Sequence, residues 1–344
     1  MLYKSKEEIL KLGEIDPELD AFLKSSQLPK PEYSNLAEFI QIFTAGETAR
    51  LSALGKPPDS VKQTDTTYMT KDGTSLRARL YQPTTSPIAG SPLILMFHGG
   101  GFCMGRPEAE ESTCRNLVQA FGAVCVSASY RLAPKFPFPY AISDSWDALK
   151  WAAAKAESFG ADPSVGFIVG GSSAGGNITA VLAHLARDEK LFPPLTGQYL
   201  AIPVVCPQEK MPEKYKDRFL SHEQNKNGPG LGAAAINMFM GAYKPDVDDT
   251  VNHTVLLHPN GHGDLPPAYF QVAGMDPLRD EALIYESVLR EEYGVGTKID
   301  VYPGMPHGHW EIFPMLQASI AFRNDQVNGF GWLLGKTAKF IPQG

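Results

Sequence analysis

Residues 165–177 of this chain read VGFIVGGSSAGGN. An apolar strand that runs through the pattern G-x-S-x-G into a helix must reverse sharply, with the serine at the apex and its hydroxyl projecting from the edge of a sheet. Gly171 and Gly175 flank this apex, where a side chain would clash as the strand and the helix pack together. Ser172 lacks this glycine spacing, so Ser173 is the predicted nucleophile.

A second glycine-rich stretch, HGGGF at residues 98–102, follows an apolar run that predicts a buried strand over residues 92–97. Successive glycines let the backbone turn its N–H groups towards one point, as a developing oxyanion requires. The amide after the nucleophile, that of Ala174, is the expected second donor. A phosphate-binding loop would need a basic residue or a helix N-terminus immediately afterwards, and residues 102–104 provide neither. His98 is interpreted as a residue that orders the loop, not as a base.

Two later loops supply a candidate acid and a candidate base for the serine. Enzymes with this turn carry the acid and then the histidine after the serine in the chain. Asp276 lies in a loop after a predicted strand and is preferred to Asp280, which falls in the following helix. His307 follows the last predicted strand and is preferred to His309, because a proline and a glycine hold it in a short loop. The predicted catalytic set is therefore Ser173, Asp276 and His307.

Strand and helix patterns alternate through residues 92–334 and predict a mostly parallel sheet with helices on both faces. An Asp-Gly turn between residues 64–70 and 76–82 predicts a β-hairpin ahead of that sheet. A long insertion with an apolar helix at residues 233–243 interrupts the alternation. The expected parts are an α/β core of residues 61–206 and 264–344 and a helical cap of residues 1–60 and 207–263.

The cap is where we expect the substrate pocket. Methionine and aromatic side chains adapt to irregular apolar ligands, although the same side chains could equally form the core of the cap itself. The candidates for substrate contact are Phe39, Phe102, Met238 and Tyr243.

The composition of the whole chain limits the functional classes. The 344 residues are 43% hydrophobic and 20% charged, which suits a soluble globular protein with a sizeable core. The net charge of −7 comes without a block of like charges and gives no indication of nucleic-acid binding. Four cysteines without C-x-x-C spacing are expected to be buried thiols rather than a disulfide framework. We expect no metal and no cofactor.

The location of the protein is predicted from its apolar segments. Residues 1–8 are charged and lack the apolar stretch of a secretory signal. No apolar run approaches the roughly 20 residues of a membrane span. These features predict a cytoplasmic protein without a membrane span, and they leave the oligomeric state open between monomer and homodimer.

Together these motifs resemble the hormone-sensitive lipase-like branch of the α/β-hydrolases, which includes esterases and arylacetamide deacetylases. The resemblance covers about residues 64–334 and implies the α/β-hydrolase fold with a helical cap. It also implies an oxyanion hole built from the amides of Gly100, Gly101 and Ala174. The matching stretches are HGGGF at 98–102, YRLAP at 130–134, FPFP at 136–139, the turn through Asn177, DPLRD at 276–280 and PHG at 306–308.

Three positions depart from the pattern of that family. Ser172 stands where an acid is usual, Lys135 where glutamate is common, and His309 where an aromatic residue usually follows. None of them removes a predicted catalytic group. Because all three are expected near the site, the pH optimum and substrate preference typical of the family do not carry over directly.

The predicted function is a serine carboxylic ester hydrolase that acts through an acyl-enzyme on short-to-medium acyl esters or small aromatic or metabolite esters. A biosynthetic acyltransferase or cyclase would use the same three residues, so the sequence leaves that alternative open. A non-catalytic small-ligand receptor is the third alternative. The plant gibberellin receptors, which resemble this family, have lost the catalytic histidine, whereas His307 is present here.

Overall fold

One eight-stranded sheet organises the protein, whose computed structural model describes residues 5–26, 35–340 and 342. The strands are β1 (Val61–Met69), β2 (Ser75–Pro83), β3 (Leu93–Phe97), β4 (Val124–Ala128), β5 (Phe167–Ser172), β6 (Gly197–Ala201), β7 (Ala268–Ala273) and β8 (Thr297–Tyr302). Their order across the sheet is β1-β2-β4-β3-β5-β6-β7-β8. β2 pairs antiparallel with both β1 and β4, and the remaining neighbours pair in parallel.

Helices precede, connect and follow the strands. They are α1 (Lys6–Lys11), α2 (Pro17–Ser25), α3 (Leu36–Leu54), α4 (Glu111–Phe121), α5 (Tyr140–Lys155), α6 (Ala174–Asp188), α7 (Ser221–Gln224), α8 (Ala233–Tyr243), α9 (Arg279–Ser287), α10 (His309–Ile312) and α11 (Gln317–Leu334). Within the described residues, none of these helices is both long and apolar enough to cross a membrane.

Strand β3 shows how the sheet separates two layers of helices. All five of its residues are buried, as expected for a parallel strand covered on both faces. Leu95 and Phe97 belong to the apolar cluster that includes α5 and α6. Ile94 and Met96 point the other way, into the cluster that includes α4 and α11. The sheet with helices on both faces, as predicted from the alternating pattern, is thereby confirmed.

The direction of the strands brings three loops together. Strands β5, β7 and β8 all run in parallel, so their carboxyl ends lie at one edge of the sheet. Ser173 directly follows β5, Asp276 follows β7, and His307 follows β8. The topology therefore brings Ser173 together with two residues that are more than a hundred positions further along the sequence.

Several boundaries follow the sequence patterns, and two do not. The hairpin pairs β1 with β2 from Val61 opposite Pro83 to Met69 opposite Ser75, and α8 covers the predicted residues 233–243. The apolar run at residues 200–205 predicts a strand, but the observed strand ends at Ala201, because Ile202 has a φ of 41° and is followed by a proline. The sequence also predicts one helix over residues 279–293, whereas the structure changes to a π-helical turn after Ser287.

The segment before β1 packs against the rest of the protein, including the loops after β7 and β8 and helix α8. Residues 5–26 lie against the loops that follow β7 and β8, because the amide of Gly304 donates to the carbonyl of Leu12 at 2.7 Å. Helix α3 lies against α8 through an edge-to-face contact between Phe39 and Phe239, whose ring centroids are 5.1 Å apart. Residues 1–4 and 27–34 of the expected N-terminal cap segment lie outside the described residues.

Candidate active site

The turn at Ser173 has the sharp geometry that the glycine spacing predicts. Ser173 has φ 55° and ψ −115°, a strained conformation for an L-residue. A β-carbon on Gly175 would lie 2.0 Å from the carbonyl oxygen of Phe97, and one on Gly171 would lie 2.5 Å from that same atom. The amide of Ser173 donates to the carbonyl of Ala201 at 2.8 Å. The apex is thus fixed between three neighbouring strands.

Ser173, His307 and Asp276 form one continuous chain of hydrogen bonds. Nδ1 of His307 lies 2.7 Å from Oδ2 of Asp276, and Nε2 lies 3.0 Å from Oγ of Ser173. Since a carboxylate only accepts, Nδ1 carries the proton, and Nε2 is left to accept from the serine hydroxyl. Asp276 is fully buried, and its other oxygen accepts from the amide of Leu278 at 2.9 Å. Ser173 and His307 keep partial exposure to solvent.

Asp280 and His309, the alternative acid and base, take part in other hydrogen-bond networks. Asp280 accepts from the amides of Leu220 and Ser221 at 2.6 and 2.7 Å. The ring of His309 is buried and donates through Nδ1 to Oγ of Ser319 at 3.0 Å. Neither side chain contacts Ser173 in the part of the chain that the structure describes.

The glycine loop lies beside the serine. A β-carbon on Gly99 would be 3.4 Å from Cβ of Ser173. Gly100 and Gly101 have φ values of 109° and 58°, which side chains rarely adopt. Among the described residues, neither of these two amides donates a hydrogen bond to the chain. Amides held this way next to a nucleophile can bind a negatively charged oxygen.

His98 supports this loop from inside the core. Its Nδ1 donates to the carbonyl of Gly99 at 2.7 Å, and its ring stacks on Tyr130 with centroids 4.3 Å apart. Burial lowers the pKa of the His98 imidazole to about 4, so the ring is neutral near pH 7. Tyr130 in turn donates its hydroxyl to the carbonyl of His98 at 2.8 Å. These contacts agree with the interpretation of His98 as a residue that orders the loop.

The four candidates for substrate contact have different surroundings. Phe102 and Tyr243 are fully buried and stack on each other with ring centroids 3.9 Å apart, so they join the glycine loop to α8. Met238 is partly buried on α8. Phe39 packs on Phe239, a residue that the sequence reasoning did not single out from its apolar neighbours.

A second group of residues, also missed from the sequence, holds the loop of the acid. Asn225 donates through Nδ2 to the carbonyl of Asp276 at 3.0 Å. Gln224 donates to the carbonyl of Leu10 at 2.7 Å and accepts from Arg279 at 2.9 Å. Amide side chains in a charged, irregular segment give no periodic signal, and only their partners in other segments reveal them.

The three departures from the family pattern have separate environments. Ser172 is partly buried beside Gly99, where a β-carbon would lie 3.2 Å from its Oγ. Lys135 is exposed, with its ammonium 5.1 Å from the centroid of Phe136. Burial lowers the pKa of His309 to about 3. Among the described residues, neither Lys135 nor His309 makes a hydrogen bond with Ser173; Lys135 lies over Phe136, and His309 contacts Ser319.

Comparisons with known proteins identify the family. Residues 94–311 match a family described as having the alpha/beta hydrolase fold. An AB hydrolase superfamily protein of Schizosaccharomyces pombe is 36% identical over 329 residues, which cover 96% of each chain. The versiconal hemiacetal acetate esterase of Dothistroma septosporum is 34% identical over 291 residues, 84% of this chain and 87% of that protein. The crystal structure of vibralactone cyclase is similar at a TM-score of 0.88 and 32% identity, over 97% of both chains.

These similarities extend over nearly the whole chain and agree with the strand order and with the serine turn. The chain belongs to the α/β-hydrolase family, in its hormone-sensitive lipase-like branch, and is a serine ester hydrolase.

Proposed function

We propose that this hydrolase cleaves carboxylic esters with short-to-medium acyl groups, or small aromatic and metabolite esters, through an acyl-enzyme on Ser173. The observation that supports the proposal is the chain of contacts from Asp276 through His307 to Ser173, at 2.7 and 3.0 Å. A serine hydroxyl is a weak nucleophile unless an adjacent base accepts its proton. Nε2 of His307 is unprotonated in the tautomer described above and lies close enough to the serine hydroxyl to accept its proton.

The proposed reaction has two halves. Oγ of Ser173 attacks the ester carbonyl while Nε2 of His307 takes its proton, and His307 then donates that proton to the departing alcohol. A water molecule next loses a proton to Nε2 of His307 and attacks the carbonyl of the acyl-enzyme. The bond to Oγ of Ser173 then breaks, His307 returns the proton to Oγ, and the carboxylic acid leaves. Asp276 keeps the imidazole in the required tautomer throughout and stabilises its charged form.

The oxyanion is proposed to accept hydrogen bonds from the amides of Gly100, Gly101 and Ala174. Support comes from the position of the loop beside Ser173 and from the positive φ values of the two glycines. Removing one such donor typically lowers kcat by a factor on the order of 10²–10³. Ala174 begins α6, so the partial positive charge of the helix N-terminus also faces the oxyanion.

The test uses neighbouring serines as a matched pair. Hydrolysis of chromogenic esters from acetate to decanoate is measured for the wild type, Ser173→Ala and Ser172→Ala. We expect Ser173→Ala to lose activity by roughly 10⁶-fold, because the nucleophile is gone, and Ser172→Ala to stay near the wild-type rate. Activity retained by Ser173→Ala, or lost equally by Ser172→Ala, would show that the nucleophile is misassigned.

A second candidate function is acyl transfer or cyclisation by the same residues. The similarity to vibralactone cyclase over 97% of both chains favours keeping it. Both reactions pass through the same acyl-enzyme, and they differ in whether water or another hydroxyl resolves it. Product analysis with increasing concentrations of an added alcohol separates them, because a transferase forms the new ester in preference to the acid even when water is in large excess.

The proposal includes a cytoplasmic location. Its support is that Cys103, Cys114, Cys125 and Cys206 are all free and buried, as is usual in a reducing compartment. Fractionation of cells that produce the protein tests the location, and sedimentation of the purified protein distinguishes a monomer from a homodimer.

A further inference from the structure

The ring of Phe239 occupies the place that a side chain at position 101 would take. A β-carbon built on Gly101 would lie 2.5 Å from Cγ of Phe239 and 2.7 and 2.8 Å from its two Cδ atoms. These are the three nearest atoms to that position. The ring of a cap residue thus lies directly on the backbone of the glycine loop.

The position of this ring is fixed from several sides. Phe239 is 4% exposed. Phe39, from α3, meets it edge to face with an angle of 82° between the ring planes. The thiol of Cys103 points to the carbonyl of Phe239 at 3.9 Å. A ring held this way acts as a wall, because a bulky ligand cannot displace it without separating two cap segments.

We propose that Phe239 determines how large a group can be attached to the ester carbonyl, and that the wild-type enzyme selects small, unbranched groups at this position. This inference rests on the proposed function. The oxyanion is expected beside the amides of Gly100 and Gly101, so the carbonyl carbon lies next to this part of the backbone. A substituent of that carbon which extends along Gly101 meets the Phe239 ring within the length of a few carbon atoms.

A purely structural role for Phe239 predicts a different result. Loss of a buried phenylalanine destabilises a protein whatever its function, and an enzyme weakened only in this way loses activity on all esters in the same proportion. A wall of the pocket affects esters unequally, because only those that were too large gain from its removal. The ratio of kcat/KM between two esters therefore separates the two roles.

The experiment compares Phe239→Ala and Phe239→Leu with the wild type on two series of esters. One series varies the acyl group from acetate to decanoate and includes the branched pivalate, and the other varies the alcohol of acetate esters. We expect the ratio of kcat/KM for the bulkiest ester to that for the smallest to rise at least about tenfold in one series for Phe239→Ala, and less for Phe239→Leu. The series that responds identifies which substituent faces the ring.

Phe22→Ala is the matched control. Phe22, on α2, also meets its partner edge to face: the ring of Phe313, just after α10, lies 5.7 Å away between centroids and at 74°. Neither ring supplies any of the three nearest atoms to a β-carbon on Gly101. We expect Phe22→Ala to lower the melting temperature and to leave both ratios unchanged. Phe239→Leu keeps most of the apolar volume, so it remains informative if Phe239→Ala does not fold.

Two outcomes overturn the inference, and a third overturns its basis. If both ratios stay at the wild-type value in the two Phe239 variants, or if Phe22→Ala shifts them equally, Phe239 is not the wall. Combining Ser173→Ala with Phe239→Ala tests the basis. Ester hydrolysis that survives in this double variant contradicts the proposed function, whereas unchanged ratios in a Ser173-dependent enzyme contradict only the role of Phe239.

Discussion

At the scale of single residues, Gly100 and Gly101 are glycines for different steric reasons. A β-carbon on Gly100 would lie 2.3 Å from the carbonyl oxygen of Met104. That oxygen cannot move aside for a side chain, because it belongs to the backbone of the same turn. A β-carbon on Gly101 would instead meet the side chain of Phe239. A backbone atom cannot be removed by mutation, but a phenyl ring can.

We therefore expect Phe239→Ala to restore part of the activity that Gly101→Ala loses and none of the activity that Gly100→Ala loses. The recovery is incomplete because alanine at a φ of 58° still carries roughly 1–2 kcal/mol of backbone strain. The measurement is kcat/KM on the acetate ester for both single glycine variants and both double variants. Equal recovery of the two glycine variants would show that the ring is not the particular obstacle at Gly101.

The sequence identified some of these residues and not others for a physical reason. Ser173 and His307 each lie in a loop with its own glycine or proline pattern, so the local sequence marks them. Phe239 lies in a helix that is apolar nearly all round, where Met238 and Tyr243 were equally good candidates. Its partner is a glycine, and a position without a side chain gives no sign of what touches it.

At the scale of elements, α1 and α7 together hold the loop of the acid. The side chain of Gln224, at the end of α7, links the carbonyl of Leu10 in α1 to the guanidinium of Arg279. Arg279 also donates to the carbonyl of Gly274, just before Asp276, at 2.9 Å. The residues of the expected cap therefore contact the loop of Asp276 through these hydrogen bonds, in addition to the contact at Phe39.

Gln224→Ala is expected to reduce both stability and turnover. It removes one hydrogen bond of the Leu10 carbonyl and one of the buried Arg279 guanidinium, which together cost about 1–3 kcal/mol, and it loosens the loop that carries Asp276. We expect the free energy of unfolding and kcat to fall together while KM changes little, as measured by urea denaturation and ester kinetics.

Lys11→Ala is the control for that variant. It removes an exposed ion pair with Glu7 on α1, at 3.0 Å, and such pairs contribute about 0–1 kcal/mol. A fall in kcat for Lys11→Ala as large as that for Gln224→Ala would mean that any disturbance of α1 suffices and that the Gln224 link is not specific.

Most elements could be predicted because their patterns are periodic. The apolar runs at residues 92–97 and 233–243 predict β3 and α8 close to their observed bounds. The docking of residues 5–26 could not be predicted, since it depends on carbonyl and amide groups of the backbone that every residue has. The end of β6 was missed because a single residue with positive φ, Ile202, ends an otherwise apolar run.

At the scale of the whole molecule, burial of histidines makes the fold sensitive to acid. Burial is the main cause that lowers the pKa of six imidazoles, those of His98, His184, His253, His258, His262 and His309. The unfolded chain binds protons at these groups below about pH 6.5, whereas the folded chain does not. Glu110, whose burial raises its pKa to about 8, has the opposite effect. The pKa values of Glu47, His222 and Asp325 are also raised, but these opposing groups are fewer than the six imidazoles.

We expect the free energy of unfolding to be greatest above about pH 6.5 and to fall as the pH decreases towards 4.5. A depressed imidazole pKa contributes stability above its unfolded value, and each such group adds a slope of at most about 1.4 kcal/mol per pH unit. Urea denaturation at several pH values measures this slope. His253→Asn cannot titrate in this range, so we expect this variant to lower the slope by at most about 1.4 kcal/mol per pH unit, which corresponds to one proton. A wild-type free energy of unfolding that does not change between pH 6.5 and 4.5 would contradict the account.

The bond between Leu12 and Gly304 also bears on how the protein is made. The amide of Gly304 meets the carbonyl of Leu12, which is synthesised 292 residues earlier, and the amide of Asp16 donates to the carbonyl of Gly304. The ribosome adds roughly 5–20 residues per second, so this segment cannot dock until β8 and its loop have emerged. Ile9 and Leu12, which the folded protein buries, stay exposed for most of translation and are expected targets for chaperones until then.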